Sequence, residues 1–218
     1  VGSNFMWLLD AVAGIGPLTV DPAHQGQGIG RALMRDALAY AKRHAIERVR
    51  LMQSSFNPAS LSLYASLGFV AKEAVAHLHA APAAASDPSV RPMNADDLSA
   101  IEDLSTRIYN VSRRNEAAAA SELGFTPLLR ELDGRVTGYF MAPSGHGVAE
   151  TEDDALALVG EAARQFSPRP VRFYCPLSEA TFFQKALQAG HRTIMVMILM
   201  ALGPYEPPTT VWMPSVLY

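Results

Sequence analysis

The sequence predicts an α/β chain in which strands alternate with helices, folded as two successive domains. Three observations carry this expectation. Residues 15–20 form an apolar run that passes through a loop with glycines at 26, 28 and 30 into an amphipathic helical stretch. Residues 80–88, AAPAAASDP, hold no large apolar side chain and read as a linker. After them the order of strand, capped helix and hairpin starts afresh.

Composition excludes several classes. A chain of 218 residues allows one or two domains. A net charge of −3 offers no basic surface for nucleic acid or anionic lipid. One cysteine, Cys175, excludes an internal disulfide framework, suits a reducing compartment, and reads as a small buried strand residue. The six histidines lack metal-ligand spacing, so no metal is expected, and His77 and His79 read as surface residues. The longest apolar run, 194–202, is too short to span a bilayer, and no leader pattern is visible. The expected location is the cytoplasm.

Taken in order, Phe5 to Leu9 and Val12 to Val20 read as a strand pair turning at Asp10, with Pro22 ending the second strand. The helix after Gly28 sets Ile29, Leu33, Met34, Ala37, Leu38 and Ala41 on one face, with Arg31, Arg35, Asp36, Lys42 and Arg43 largely opposite. Residues 48–53 read as a buried central strand. Pro58 then opens a helix with Leu61, Tyr64 and Leu67, which Gly68 ends. A strand from Phe69 runs towards Leu78. Beyond the linker, Val90 to Met93 is a strand, and Asn94 caps a helix bearing Leu98, Ile101, Leu104 and Ile108. A polar, alanine-rich helix is expected over 113–123. Asp133-Gly134 between apolar runs predicts a hairpin. A helix with Leu156, Leu158, Val159 and Ala162, a strand at 171–174, a helix at 178–189 and a strand at 193–202 complete the series. The proline-rich, aromatic tail 203–218 is expected to close its own domain as a strand, or else to reach the first domain or a partner.

Chemistry concentrates at the glycine loop. Glycines let successive backbone N–H groups turn inward, and a helix N-terminus adds partial positive charge, which together suit a phosphate or pyrophosphate. It is not a Walker loop, since Arg31-Ala32 stand where Lys-Ser/Thr would be. Glycines at 26, 28 and 30 also fail the order of a dinucleotide fingerprint. Gln25, Gly28 and Gly30 instead match Q/R-x-x-G-x-G/A. Further on, Asn57-Pro58-Ala59-Ser60-Leu61-Ser62-Leu63-Tyr64-Ala65-Ser66-Leu67-Gly68-Phe69 matches N-x-x-[AS]-x-x-L-Y-x-x-x-G-F in the same order and at the same distance.

These two motifs in register resemble the signature of the GNAT superfamily of N-acetyltransferases, as found in bacterial tandem GNAT proteins with one active and one degenerate half. The resemblance implies an acyl-CoA N-acyltransferase fold, a mixed central sheet flanked by helices, in two tandem domains. Residues 1–79 would be the second half of the first domain, its front part missing and the chain truncated or late-starting. Residues 80–89 would link it to a degenerate GNAT-like domain at 90–218. There, four acids at 150–154 stand where a phosphate loop would be and would repel a pyrophosphate.

The implied activity is transfer of an acetyl group from acetyl-CoA to a primary amine of a small molecule or protein, in a ternary complex. Leu18, Thr19 and Val20 would supply backbone groups to the pantetheine arm. Gln25, Gly26, Gln27, Gly28, Ile29, Gly30 and Arg31 would supply N–H groups to the pyrophosphate. Asn57 would anchor the pantetheine side or simply cap its helix. Tyr64 would donate to the departing thiolate or simply fill the core. Asp10, Asp21 and His24 lie near enough to be a general base, but none is assigned. A non-catalytic acyl-CoA-binding, regulatory or dimerisation module is the alternative, and a homodimer is left open.

Overall fold

The computed structural model describes residues 1–215. The chain begins with strands β1 (Gly2–Ser3), β2 (Met6–Trp7), β3 (Val12–Ile15) and β4 (Thr19–Val20), followed by α1 (Ile29–Arg43), β5 (Arg48–Ser54), α2 (Pro58–Ser66) and β6 (Val70–His79). It continues through β7 (Val90–Pro92), α3 (Leu98–Tyr109), α4 (Arg114–Ala118), β8 (Thr126–Leu132), β9 (Arg135–Ala142) and β10 (Gly147–Ala149). Then come α5 (Glu152–Phe166), β11 (Arg172–Pro176), α6 (Ala180–Gln188), β12 (Arg192–Leu202) and β13 (Val211–Met213). Two compact units divide the described residues: 1–73 with 197–205, and 74–196 with 206–215.

In the first unit β3 lies between antiparallel β2, with Trp7 opposite Gly14, and parallel β5, with Val12 opposite Arg48 and Gly14 opposite Arg50. The far edge of β5 takes residues 197–202 of β12 in antiparallel register, Met197 opposite Ser54 and Leu202 opposite Val49. The mixed sheet is covered by α1 and α2, and the core between them holds Ala13, Ile15, Met34, Val49, Leu51, Tyr64, Phe69 and Met200. Buried Arg50 ties down the end of β12, donating to the carbonyl oxygens of Leu202 at 3.4 Å and Pro204 at 2.5 Å, with the Tyr205 ring 5.0 Å from its guanidinium.

The expected strand over 12–20 is two strands. Gly16 takes a φ of +140°, and Pro17 has no N–H to offer a ladder. The β3–β5 register therefore ends at Gly14, while β4 pairs with β1, Ser3 opposite Thr19.

The second unit is built on a five-stranded antiparallel sheet in the order β13-β10-β9-β8-β7. The Asp133-Gly134 hairpin forms as expected: both residues have positive φ, 53° and 73°, which is what a two-residue turn between twisted strands requires. Residues 75–79 of β6 pair with β11, and α5 and α6 seal a core that includes Leu78, Phe140, Leu158, Val159, Phe173, Cys175 and Phe182. Cys175 is buried, as expected. Asn94 caps as expected, forming a reciprocal box with Asp97.

Several expectations change. The helix expected over 113–123 stops at Ala118. Only Glu116, Ala117 and Ala120 turn inward along 116–120, too little apolar face to hold more turns against the sheet. His77 is buried, stacked on Tyr174 at 4.5 Å between ring centroids, rather than exposed, while His79 is exposed. β10 lies in a stretch whose short glycine-bearing sequence carries no alternation to mark a strand. In the tail, Val211–Met213 closes its own unit by pairing with β10; residues 216–218 lie outside the described residues.

The compact units also depart from the boundaries at 79/80 and 89/90. Residues 74–79 and 80–89 group with the second unit, and 197–205 with the first. The stretch 80–89 is irregular yet tethered: Ala80 N–H donates to Val171 O at 3.0 Å, Ala81 N–H to His191 Nδ1 at 2.8 Å and Ala83 N–H to Gly160 O at 3.0 Å. Pairing of β12 with β5 draws the late strand into the first unit, because a ladder six residues long outweighs sequence adjacency.

Candidate functional site

A cleft of about 400 Å³ opens in the first unit where β4, the glycine loop and the first turns of α1 and α2 converge. Of the residues picked out by sequence, Leu18, Val20, Gln25, Gly26, Gly28, Ile29, Gly30, Arg31, Asn57 and Tyr64 line it. Thr19 and Gln27 do not. Asp21 N–H donates to Val1 O at 2.8 Å, so strand alternation also points the Thr19 backbone at β1, and its hydroxyl lies 2.8 Å from Ser3 Oγ. By the same alternation Leu18 and Val20 direct their backbone groups to the other edge.

The loop is shaped by local chemistry. Asp21 Oδ1 accepts from Ala23 N–H at 3.0 Å and pins the turn Pro22–His24, and Gln25 Nε2 folds back onto Val20 O at 3.1 Å. Gly26 and Gly28 have φ of 76° and 81°, a region costly for any residue with a Cβ, and nothing lies within 4 Å of where a Cβ would stand. Gly28 is the N-cap of α1. No side chain caps that end and no acid occupies its first turn, so its N–H groups and dipole face the cleft. These residues fit an anionic, phosphate-bearing ligand.

On the opposite wall Asn57 begins α2 by accepting from Ser60 N–H at 3.1 Å. Its side chain is thus a helix cap, so the capping alternative holds for it whatever else it does. Tyr64 is 9% exposed, its ring edge-on to Phe69 at 6.1 Å, and burial raises its pKa above the ordinary value, so the phenol stays protonated at neutral pH. It is both a core aromatic and a wall of the cleft. His24, Ala59, Ser60 and Leu63 complete the lining. Sequence reasoning missed the last three, although Ser60 and Leu63 stand on the inward face of α2 beside Tyr64. His24 Nδ1 lies 3.3 Å from Asp21 Oδ2. Among the described residues no group of three or more potential metal ligands occurs. No helix among them is long and apolar enough to cross a membrane.

The second unit treats its corresponding helix differently. Thr151 and Asp154 close a reciprocal capping box at the N-terminus of α5. Asp154, 3% exposed, also accepts from Thr137 Oγ1 at 3.0 Å and faces Arg130 at 3.4 Å. A carboxylate already occupies the position an anion would take. Deeper in this unit Arg113, Glu116 and His146 are each no more than 2% exposed. Glu116 pairs with Arg113 and with His146 Nδ1 at 3.1 Å, while the Tyr139 hydroxyl meets His146 Nε2 at 2.8 Å. Burial pushes the Glu116 carboxyl up, but the charges of Arg113 and His146 outweigh it and hold the pKa at about 2.

Comparison with known proteins agrees with this geometry. Residues 2–69 match the acetyltransferase (GNAT) family. An uncharacterised N-acetyltransferase of Methanocaldococcus jannaschii is 41% identical over 64 residues, 29% of this chain and 28% of that protein. The N-alpha-acetyltransferase RimI of Mycobacterium tuberculosis is 48% identical over 50 residues, 23% and 30% of the respective chains. The chain thus spans less than a third of the curated relatives it matches. In overall fold it is similar to a Pyrococcus horikoshii protein described as a candidate acetyltransferase, with a TM-score of 0.82 at 18% identity over 100% of this chain and 75% of that one. A tandem GNAT protein from the clavulanic acid biosynthesis pathway gives 0.57 at 17% identity over 94% and 80%. Residues 2–69 thus carry a match to the acetyltransferase (GNAT) family that agrees with the motif pair, and the chain as a whole has the fold of the solved proteins it resembles.

Proposed function

We propose that the chain is an N-acetyltransferase that takes acetyl-CoA in the first-unit cleft and passes the acetyl group to a primary amine of a small molecule or protein. The observation that carries this reading is the uncapped N-terminus of α1, entered through left-handed Gly26 and Gly28 and faced by Asn57 and Tyr64 in one cleft. N–H groups from Gln25 to Arg31 would hold the pyrophosphate, and the backbone of Leu18 and Val20 would align the pantetheine arm. Acetyl-CoA would supply an activated acyl thioester, whose C–S bond breaks as the amine nitrogen bonds to the carbonyl carbon. Tyr64, protonated at neutral pH, would donate to the departing sulfur, and the proton that the nitrogen releases on acylation would return through solvent to the phenolate.

The second unit is read as a degenerate GNAT-like domain that shapes the fold rather than binding a second acyl-CoA, since the α5 terminus is already closed by Asp154. Calorimetric titration with acetyl-CoA, followed by thiol release across a panel of amines, tests the proposal. Binding with amine-dependent release supports it. Binding without release across the panel favours a non-catalytic acyl-CoA module, and no binding refutes the cleft assignment.

A further inference from the structure

Gln53 stands near the end of β5, two residues after Leu51, so strand alternation puts both on the face covered by α1 and α2. It is 4% exposed. One end of its amide meets Ser60 Oγ at 2.7 Å, and Ser60 lines the cleft. The other end, Nε2, is buried with no hydrogen-bond partner among the described residues. Turning the amide over exchanges donor and acceptor but still leaves one end bare, because the serine hydroxyl accepts as readily as it donates. A bare amide end in the interior is costly, and an ordered water, an ion or a bound ligand can complete it. The neighbouring polar groups are already engaged: Asn57 Oδ1 accepts from Ser60 N–H, and Ser60 Oγ lies 3.0 Å from Asn57 O.

We propose that Gln53 is a recognition residue of this cleft, its bare amide end hydrogen-bonding a secondary amide of the bound ligand. A secondary amide presents both N–H and C=O, so it matches the glutamine whichever way the side chain is turned. The inference rests on the acyl-CoA reading, in which the pantetheine arm carries amides of this kind.

The test substitutes Gln53→Met, close in volume and without hydrogen-bonding groups. Binding of coenzyme A and of 3′,5′-ADP, which lacks the pantetheine arm, is measured by calorimetry, together with the thermal midpoint of the free protein. Coenzyme A is expected to bind about tenfold more weakly, with 3′,5′-ADP unchanged. The midpoint is expected to rise by about 2–4 °C as a bare polar group leaves the interior. A purely structural Gln53 would shift both ligands together or lower the midpoint, and a site completed by water would leave coenzyme A affinity unchanged; either result overturns the proposal. Wild-type protein that binds neither ligand refutes the acyl-CoA reading and this inference with it. Wild type and variant binding coenzyme A alike removes Gln53 alone. If the methionine variant does not fold, Ser60→Ala serves. Releasing the held amide end is expected to weaken coenzyme A about threefold and spare 3′,5′-ADP, and unchanged coenzyme A binding overturns the proposal.

Discussion

Replacing Glu116 by glutamine keeps the volume of a side chain that is 2% exposed but removes the charge facing Arg113 and His146. The carboxyl pKa is held at about 2 against an ordinary 4.5. At 1.36 kcal/mol per pKa unit that difference is about 3 kcal/mol, the lower end of the cost of removing one partner of a buried pair. Because the folded-state pKa is the depressed one, this stabilisation is complete above pH 4.5 and is lost as pH falls from 4.5 towards 2. The two tryptophans allow a local readout. Trp7 lies in the first unit, whereas Trp212, 3% exposed, packs 5.5 Å from Tyr109 in the unit that holds Glu116. In a Trp7→Phe background, urea unfolding followed by Trp212 fluorescence reports the second unit alone. At pH 7 the Glu116→Gln midpoint is expected about 1.5 M lower, for a slope of about 2 kcal/mol per molar urea. The gap should narrow as the pH approaches 2. A variant within 1 kcal/mol of the parent at pH 7, or a gap independent of pH, would refute the view that the ionised carboxylate holds this interior together.

Other outcomes follow from the cleft and from the buried histidines. Gly28→Glu places a carboxylate in open space at a left-handed position and is expected to weaken acetyl-CoA more than 100-fold by calorimetry, whereas Gly28→Ala, with the same backbone strain and no charge, stays within about tenfold. Tyr64→Phe is expected to lower turnover about 100-fold while the acetyl-CoA dissociation constant changes less than twofold, since the ring and its packing remain; an unchanged turnover assigns Tyr64 to the core alone. His77, through burial and then Arg172, and His191, through burial, have pKa values lowered to about 4. Both stay neutral in the fold while the unfolded chain takes up protons, so stability should fall between about pH 6.5 and 4. His77→Phe should flatten that part of a urea-midpoint profile, and a profile equally steep in the variant argues against it.

Much of the site could be read from residue types in order. The glycine spacing, Pro58 after Asn57, and Tyr64 one turn beyond Ser60 each follow from short-range geometry, and the structure gathers the glycines, Asn57, Ser60 and Tyr64 round one cleft. Asn94 and Asp133-Gly134 were legible for the same reason, since a cap and a two-residue turn are decided within four residues. What was not legible depends on groups far apart in the chain. His77 looked exposed until Tyr174, 97 positions on, supplied a ring to stack against. Glu116 in an alanine-rich run gave no sign of the His146 it meets. Gln53 read as one more strand residue until its neighbours proved to satisfy only half of its amide.

The sequence by itself determined the order of strands and helices, the glycine loop and the α2 motif, because periodicity, capping and turn chemistry act over a few residues. Tertiary structure alone decided that β4 pairs with β1 and that residues 197–202 complete the sheet of the first unit. It also decided that Asp154 is buried against Thr137 and Arg130, which lie far from it in the chain. Each of these is a competition for backbone hydrogen bonds or for a buried charge between distant segments, and its winner is set only when those segments are brought into contact.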